Sequence, residues 1–255
     1  MSDQIIYEHP LNERIRTLLR LEQLFNEAAY FLPQPEEWGS RSAIDSLLKI
    51  ISIFARSDIK SEILKELERH QNKLSSIRRQ PGVDMQTLGK VLDDLEQAMQ
   101  HVYRMDGQVG QQLRENEFLK SIMQRTSIPG GSCAFDLPQF HHWLQQPPSG
   151  RLQQMQEWYR ELEPVRQAIA LLLALTRNST HPRRETAFQG FYQKSLDPQV
   201  PTQLIRIGIP SRLPLFAEIS GGKHRFSVRF MEAHDTDRPS QSQRDIQFSL
   251  ACCVI

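Results

Sequence analysis

Gly221-Gly222-Lys223-His224-Arg225-Phe226-Ser227-Val228-Arg229-Phe230-Met231 is the stretch on which the reading of this chain turns. Two glycines precede a run in which cationic and apolar side chains alternate. Successive side chains of a strand point to opposite faces. Lys223, Arg225 and Arg229 are therefore expected on one face, with His224, Phe226, Val228 and Phe230 on the other. The apolar face would be buried and the cationic face presented. Such a face is either the solvated outside of a sheet or a strip that binds anions, whether a phosphate backbone or an acidic peptide.

The same period of two extends outward from this run. Ala187–Tyr192, Gln203–Ile209, Phe216–Ile219 and Asp245–Cys252 are further β-like runs, and their spacing is that of antiparallel meanders. Upstream the period becomes helical. Asn12 is placed to cap a helix with Ile15, Leu18, Phe25 and Ala28 on one side, ended by Pro33 and Pro35. Ile44, Leu47, Leu48, Ile51 and Phe54 mark a second helix. Asp58 and Asp84 open two more, and the short Pro81-Gly82 connection predicts a long αα-hairpin. Cys133–Phe135 reads as a short strand, Asp136–Pro138 as a helix start and Pro147–Gly150 as a linker. Leu152–Arg177 reads as one helix that Pro164 kinks or divides. Ile5–Tyr7 is a lone β-like run, and a lone strand does not persist by itself. It is expected to join the C-terminal sheet. The fold class is thus α+β, with an N-terminal strand over residues 1–10, a mainly helical domain over 11–180 and an antiparallel β-domain over 181–255.

Lys and Arg number 31 against 30 Asp and Glu, so the chain carries a net charge of only +1 and is no general polyanion binder. Between Thr180 and Phe230, however, eight cations stand against three carboxylates. That local excess points to a specific acidic partner or to nucleic acid. Cys133, Cys252 and Cys253 give no disulfide framework, in keeping with a reduced, cytoplasmic setting. No signal peptide is expected, and no apolar run approaches the ~20 residues of a membrane span. Cys252-Cys253-Val254-Ile255 has prenylation spacing, but it continues the alternation of Phe248 and Leu250 and reads as a strand end.

No cofactor or metal motif stands out. Gly221-Gly222-Lys223 lacks the spacing of a phosphate-binding loop. His141 and His142 are adjacent, so on a helix they point about 100° apart and do not chelate one ion. Ser127, Ser132, His141 and Asp136 lack a nucleophile elbow. Neither catalysis nor a bound cofactor is expected. Arg14, Arg16 and Arg20 give the first helix a basic face.

Several segments together resemble one family. They are Glu8-His-Pro-Leu-Asn-Glu13, Leu64-Lys-Glu-Leu-Glu-Arg69, Pro81-Gly-Val-Asp84, Ser127-Ile-Pro-Gly-Gly131 with Phe135-Asp-Leu-Pro138, Gly190-Phe-Tyr-Gln193, Ile219–Phe226, Arg229-Phe-Met231 and Leu250-Ala-Cys-Cys253. In this order they are similar to ZapD, the FtsZ-associated cell-division proteins. The resemblance implies a cytoplasmic, non-enzymatic homodimer, recruited to the division site at mid-cell. It would bind the acidic and apolar C-terminal tail of FtsZ and bundle its filaments. It also implies that Arg20, Arg56, Arg114, His141, Lys223, Arg225 and Arg229 contact FtsZ. It departs at Glu117, where the family carries a base. No membrane and no nucleic-acid partner is implied. The alternative is a nucleic-acid-binding module using the same basic strand, with interleaved aromatics as a stacking platform. Against it, those aromatics are expected to face the core.

Overall fold

The computed structural model describes residues 4–78, 80–233 and 238–255. In chain order, β1 (Gln4–Pro10) is followed by α1 (Glu13–Phe31), α2 (Glu37–Phe54), α3 (Ile59–Ser76), α4 (Met85–Tyr103), α5 (Gln111–Glu115), α6 (Glu117–Met123), α7 (Pro138–Leu144), α8 (Pro148–Arg160) and α9 (Glu163–Asn178). The strands β2 (Arg183–Ala187), β3 (Phe191–Ser195), β4 (Thr202–Pro210), β5 (Leu215–Gly221), β6 (Arg225–Glu232), β7 (Ser240–Gln241) and β8 (Ile246–Val254) complete the chain. The fold is α+β. Two compact units divide it: Arg20–Leu172, which is helical, and a second made of the residues up to Leu19 with Leu173–Ile255.

In the helical unit, short polar side chains begin α3, α4 and α6 by taking up orphan amide protons. Asp58 accepts from the Ser61 amide at 3.2 Å and starts α3. Asp84 accepts from the Gln86 and Thr87 amides at 3.0 and 3.2 Å and starts α4. Between them Gly82 takes φ +85°, which reverses the chain and closes the α3–α4 hairpin. Pro164 lies in the first turn of α9, where its missing amide proton costs nothing, so the long helix is divided rather than kinked. By the same logic Pro148 opens α8, and the expected linker at Pro147–Gly150 is helix N-terminus instead. The expected strand at Cys133–Phe135 is a run of turns. Its backbone groups are used locally, Cys133 N–H to the Gly130 carbonyl and Leu137 N–H to that of Cys133. Phe118, Phe140, Trp143 and Trp158 form an aromatic cluster with ring centroids 5.6–6.2 Å apart.

In the second unit, Asn12 caps α1 through the Ile15 amide at 2.9 Å. Its strands form two four-stranded sheets, paired antiparallel throughout. The first has the order β1-β4-β8-β2, so the N-terminal strand does join the C-terminal sheet. In the second, β6 lies between β3 and β5, and β7 pairs with its far end. The run Ala187–Tyr192 is not one strand. It turns at Gln189 (φ +48°) and Gly190 (φ +70°), where any Cβ on residue 190 would lie 2.4 Å from the Ser242 carbonyl oxygen. The inner faces of the two sheets share one core, in which Ile205, Ile207, Phe248 and Leu250 meet Phe226, Val228 and Phe230. The Phe230 and Phe248 rings lie 5.0 Å apart, and Tyr192 meets Phe248 edge-on at 5.2 Å. The two outer faces therefore point in opposite directions.

Candidate functional site

Strand β6 realises the alternation of its sequence. Phe226, Val228 and Phe230 are buried, while Arg225 and Arg229 are exposed on the outer face of the second sheet. Lys223 and His224 precede the strand. The Gly222 amide bonds the Arg225 carbonyl at 3.0 Å, closing a tight turn between β5 and β6. The chain reverses there, so strand alternation begins only at Arg225. His224 is consequently exposed rather than buried, and it joins Lys223 and Arg225 around a cleft of about 410 Å³. Gln193, Ser220 and Ser227 line the same cleft and offer hydrogen-bonding groups. Among the described residues no carboxylate lines it.

Arg229 lies two positions along the same face. Register places it opposite Phe191 on one side and Glu218 on the other. Phe191 is 39% exposed, and Phe188 next to it across a β-bridge is 70% exposed. The face therefore combines guanidinium and ammonium groups with aromatic surface. The aromatic surface comes from β3 and the turn before it, since Phe226 and Phe230 are only 1% and 0% exposed.

The remaining sequence candidates sit in the helical unit. Arg20 on α1 and Arg56 after α2 are exposed, as is His141 on α7. Arg114 is half-buried and donates to the Gln108 amide oxygen at 2.7 Å. Glu117, the carboxylate that departs from the family pattern, is exposed at the start of α6 and paired with Lys120 at 3.1 Å, whereas Arg114 belongs to α5. None of Arg20, Arg56, Arg114 and His141 lines the second-sheet cleft or the pocket around Trp38. That pocket, about 430 Å³, escaped sequence reasoning. It holds Trp38, 74% exposed, with the Arg41 guanidinium 5.4 Å from its ring. Arg41 also pairs with Glu37 at 2.9 Å, and its hydrogen bond holds the Glu37 carboxyl below the usual range.

Among the described residues no group of three His, Cys, Asp or Glu side chains is placed to hold a metal ion. Burial pushes the Cys252 thiol up and the Cys253 thiol up to about 11, so both stay protonated at neutral pH. Both lie within β8, paired with Ile205 and Leu204. Among the described residues no helix is long and apolar enough to cross a membrane.

Comparison with known proteins decides the family. Residues 19–229 match the family ZapD, described as cell division protein. The chain belongs to the ZapD family of cell division proteins. It is 44% identical to the cell division protein ZapD of Methylococcus capsulatus over 255 residues, covering 100% of both chains. It is 38% identical to that of Aromatoleum aromaticum over 251 residues, covering 98% of both. A role in cell division follows for this chain as a ZapD protein.

Proposed function

We propose that this ZapD protein binds the C-terminal tail of FtsZ on the outer face of β6 and, as a homodimer, cross-links FtsZ filaments into bundles at mid-cell. The observation that carries the reading is the pairing of Arg225 and Arg229, exposed on a central strand, with a cleft at Lys223 and His224 that no carboxylate lines among the described residues. Charge-assisted hydrogen bonds from these groups would orient tail carboxylates. Phe191 and Phe188 offer contact to the tail's aliphatic side chains. The backbone that carries these cations is already held by its pairing with β3 and β5, so no backbone ordering is spent there on binding. Arg20, Arg56, Arg114 and His141 would add filament contacts outside this face. Two tail sites in one dimer turn modest affinity per site into avidity on a polymer.

The nucleic-acid alternative needs bases to stack on aromatics interleaved with arginines. On β6 those aromatics, Phe226 and Phe230, are in the core. The test is titration of the purified protein with a fluorescent FtsZ tail peptide at rising salt. Saturable binding that weakens steeply with salt is expected, because exposed charges are screened within about 10 Å at 0.1 M salt. Absence of binding at low salt overturns the reading.

A further inference from the structure

The first sheet carries a second cationic depression, on the outer face turned away from β6. Its floor is one cross-strand row through all four strands: Ile6 of β1, Gly208 of β4, Ser249 of β8 and Arg184 of β2 stand in register. Gly208 makes the depth of the row. A Cβ there would fall 2.3 Å from Ser249 Oγ and 2.6 Å from Gln4 Oε1. The next row places Glu8, Arg206 and Ala251 side by side. The resulting cleft, about 690 Å³, is lined by Arg183, Arg184, Arg206 and Arg212 and, among the described residues, by no carboxylate. Glu8 beside it is shared by two guanidiniums, Arg206 at 2.8 Å and Arg177 at 2.8 Å. One negative charge between two positive ones leaves the face cationic.

We propose that this cleft is a second seat for an acidic, aliphatic-containing peptide, so that a single chain holds two such peptides on opposite faces of its β-unit. This rests on the reading of the partner as a polymer with acidic tails. A peptide fits the lining better than a nucleic acid does. The cleft's aromatic lining residue, Phe248, is 3% exposed, which leaves no ring for a base to stack on. Ile6, 45% exposed, offers an aliphatic contact, and Gln4, Gln247 and Ser249 offer partners for peptide amides. The two seats would give each chain the geometry to bridge two tails even without a second copy, and a dimer would carry four.

Two probes on the full chain test this: an FtsZ tail peptide and a short peptide alternating Glu and Leu with no FtsZ sequence. Each is titrated by calorimetry and followed by amide shifts of Gly208, Ser249 and Ala251. Both peptides are expected to move those amides. The double variant Arg184→Glu/Arg212→Glu should abolish the shifts and roughly halve the binding stoichiometry. Arg225→Glu/Arg229→Glu should also halve it while leaving the shifts. If the tail binds, is lost in Arg225→Glu/Arg229→Glu, and never moves the cleft amides, the β6 reading stands and the second seat is overturned. If only the Glu–Leu peptide moves them, the seat stands and FtsZ is the wrong partner. If a mixed oligonucleotide moves them and neither peptide does, the peptide proposal is overturned.

Discussion

Replacing Glu8 by Gln tests how the N-terminal strand is held. The Glu8 carboxylate takes a two-point contact from Arg177, Nε at 2.9 Å and Nη2 at 2.8 Å, and a third hydrogen bond from Arg206 Nε at 2.8 Å. These side chains are 19%, 23% and 27% exposed. Fully exposed ion pairs contribute about 0–1 kcal/mol, whereas breaking a buried one costs about 3–5 kcal/mol. At this exposure the loss should fall between, at about 2 kcal/mol. Gln keeps the shape but leaves two guanidiniums facing each other. The melting temperature of a chain this size should drop by about 4–8 °C. The local readout is sharper, because β1 is an edge strand that, among the described residues, pairs with β4 alone. Amide protection along β1 should fall about 30-fold, the equivalent of 2 kcal/mol. A double-mutant cycle with Arg206→Gln should show coupling of about 1 kcal/mol. A stability change below about 0.5 kcal/mol, with unchanged protection in β1, would refute the reasoning.

Charge reversals on β6 should separate binding from folding. Arg225→Glu faces Ser195 across the strand pair, so it should leave stability unchanged while weakening tail binding by at least about tenfold, whereas Arg229→Glu sets two carboxylates opposite each other with Glu218 and should cost about 0.2–1 kcal/mol as well; denaturant midpoints beside peptide titrations check both. His70 is buried with its Nδ1–H given to the Glu66 carbonyl at 2.9 Å and its Nε2 unpartnered, and burial pulls its pKa down. The unfolded chain binds the proton more readily, so stability should fall as pH drops below about 6.5, and His70→Gln should flatten that limb of the stability–pH curve. Glu117→Lys exchanges an exposed carboxylate at the start of α6, now paired with Lys120, for a cation and should raise FtsZ bundling at low salt, with the gain disappearing at high salt in a light-scattering assay.

The parts of the fold legible in the sequence are those where a local rule and the tertiary outcome agree. Asn12, Asp58 and Asp84 cap the helices they precede because the amides they satisfy lie within three residues. The alternation in β6 survives because both of its faces have work, one in the core and one in water. Misreadings arise where a distant contact or a turn overrides the pattern. Ala187 to Tyr192 look like a strand, but Gln189 and Gly190 take positive φ and turn the chain where the Ser242 carbonyl leaves no room for a Cβ on residue 190. His224 looks apolar-facing, but Gly222 bonds Arg225 and moves the strand start beyond it.

The same distinction explains what was hidden in the candidate sites. Lys223, Arg225 and Arg229 are near one another in sequence, so their excess of charge is visible at once. Arg184, Arg206 and Arg212 contribute to the same local excess, yet they lie on separate strands and an adjoining loop. Only the register of β1, β4, β8 and β2 shows that they rim one cleft. The decisive residue there is a glycine, whose missing side chain carries no chemical signature in the sequence. A small residue at position 208 is required by Ser249 and Gln4 and creates the depression that the arginines surround. A Gly208→Ala chain would therefore have to shift Ser249 or Gln4 to make room, and the cleft between the arginines would become shallower. Because β6 lies on the other sheet, that change should leave tail binding at Arg225 intact while weakening peptide binding at Arg184. Tail binding that weakened equally at both faces would show that the two outer surfaces are not independent.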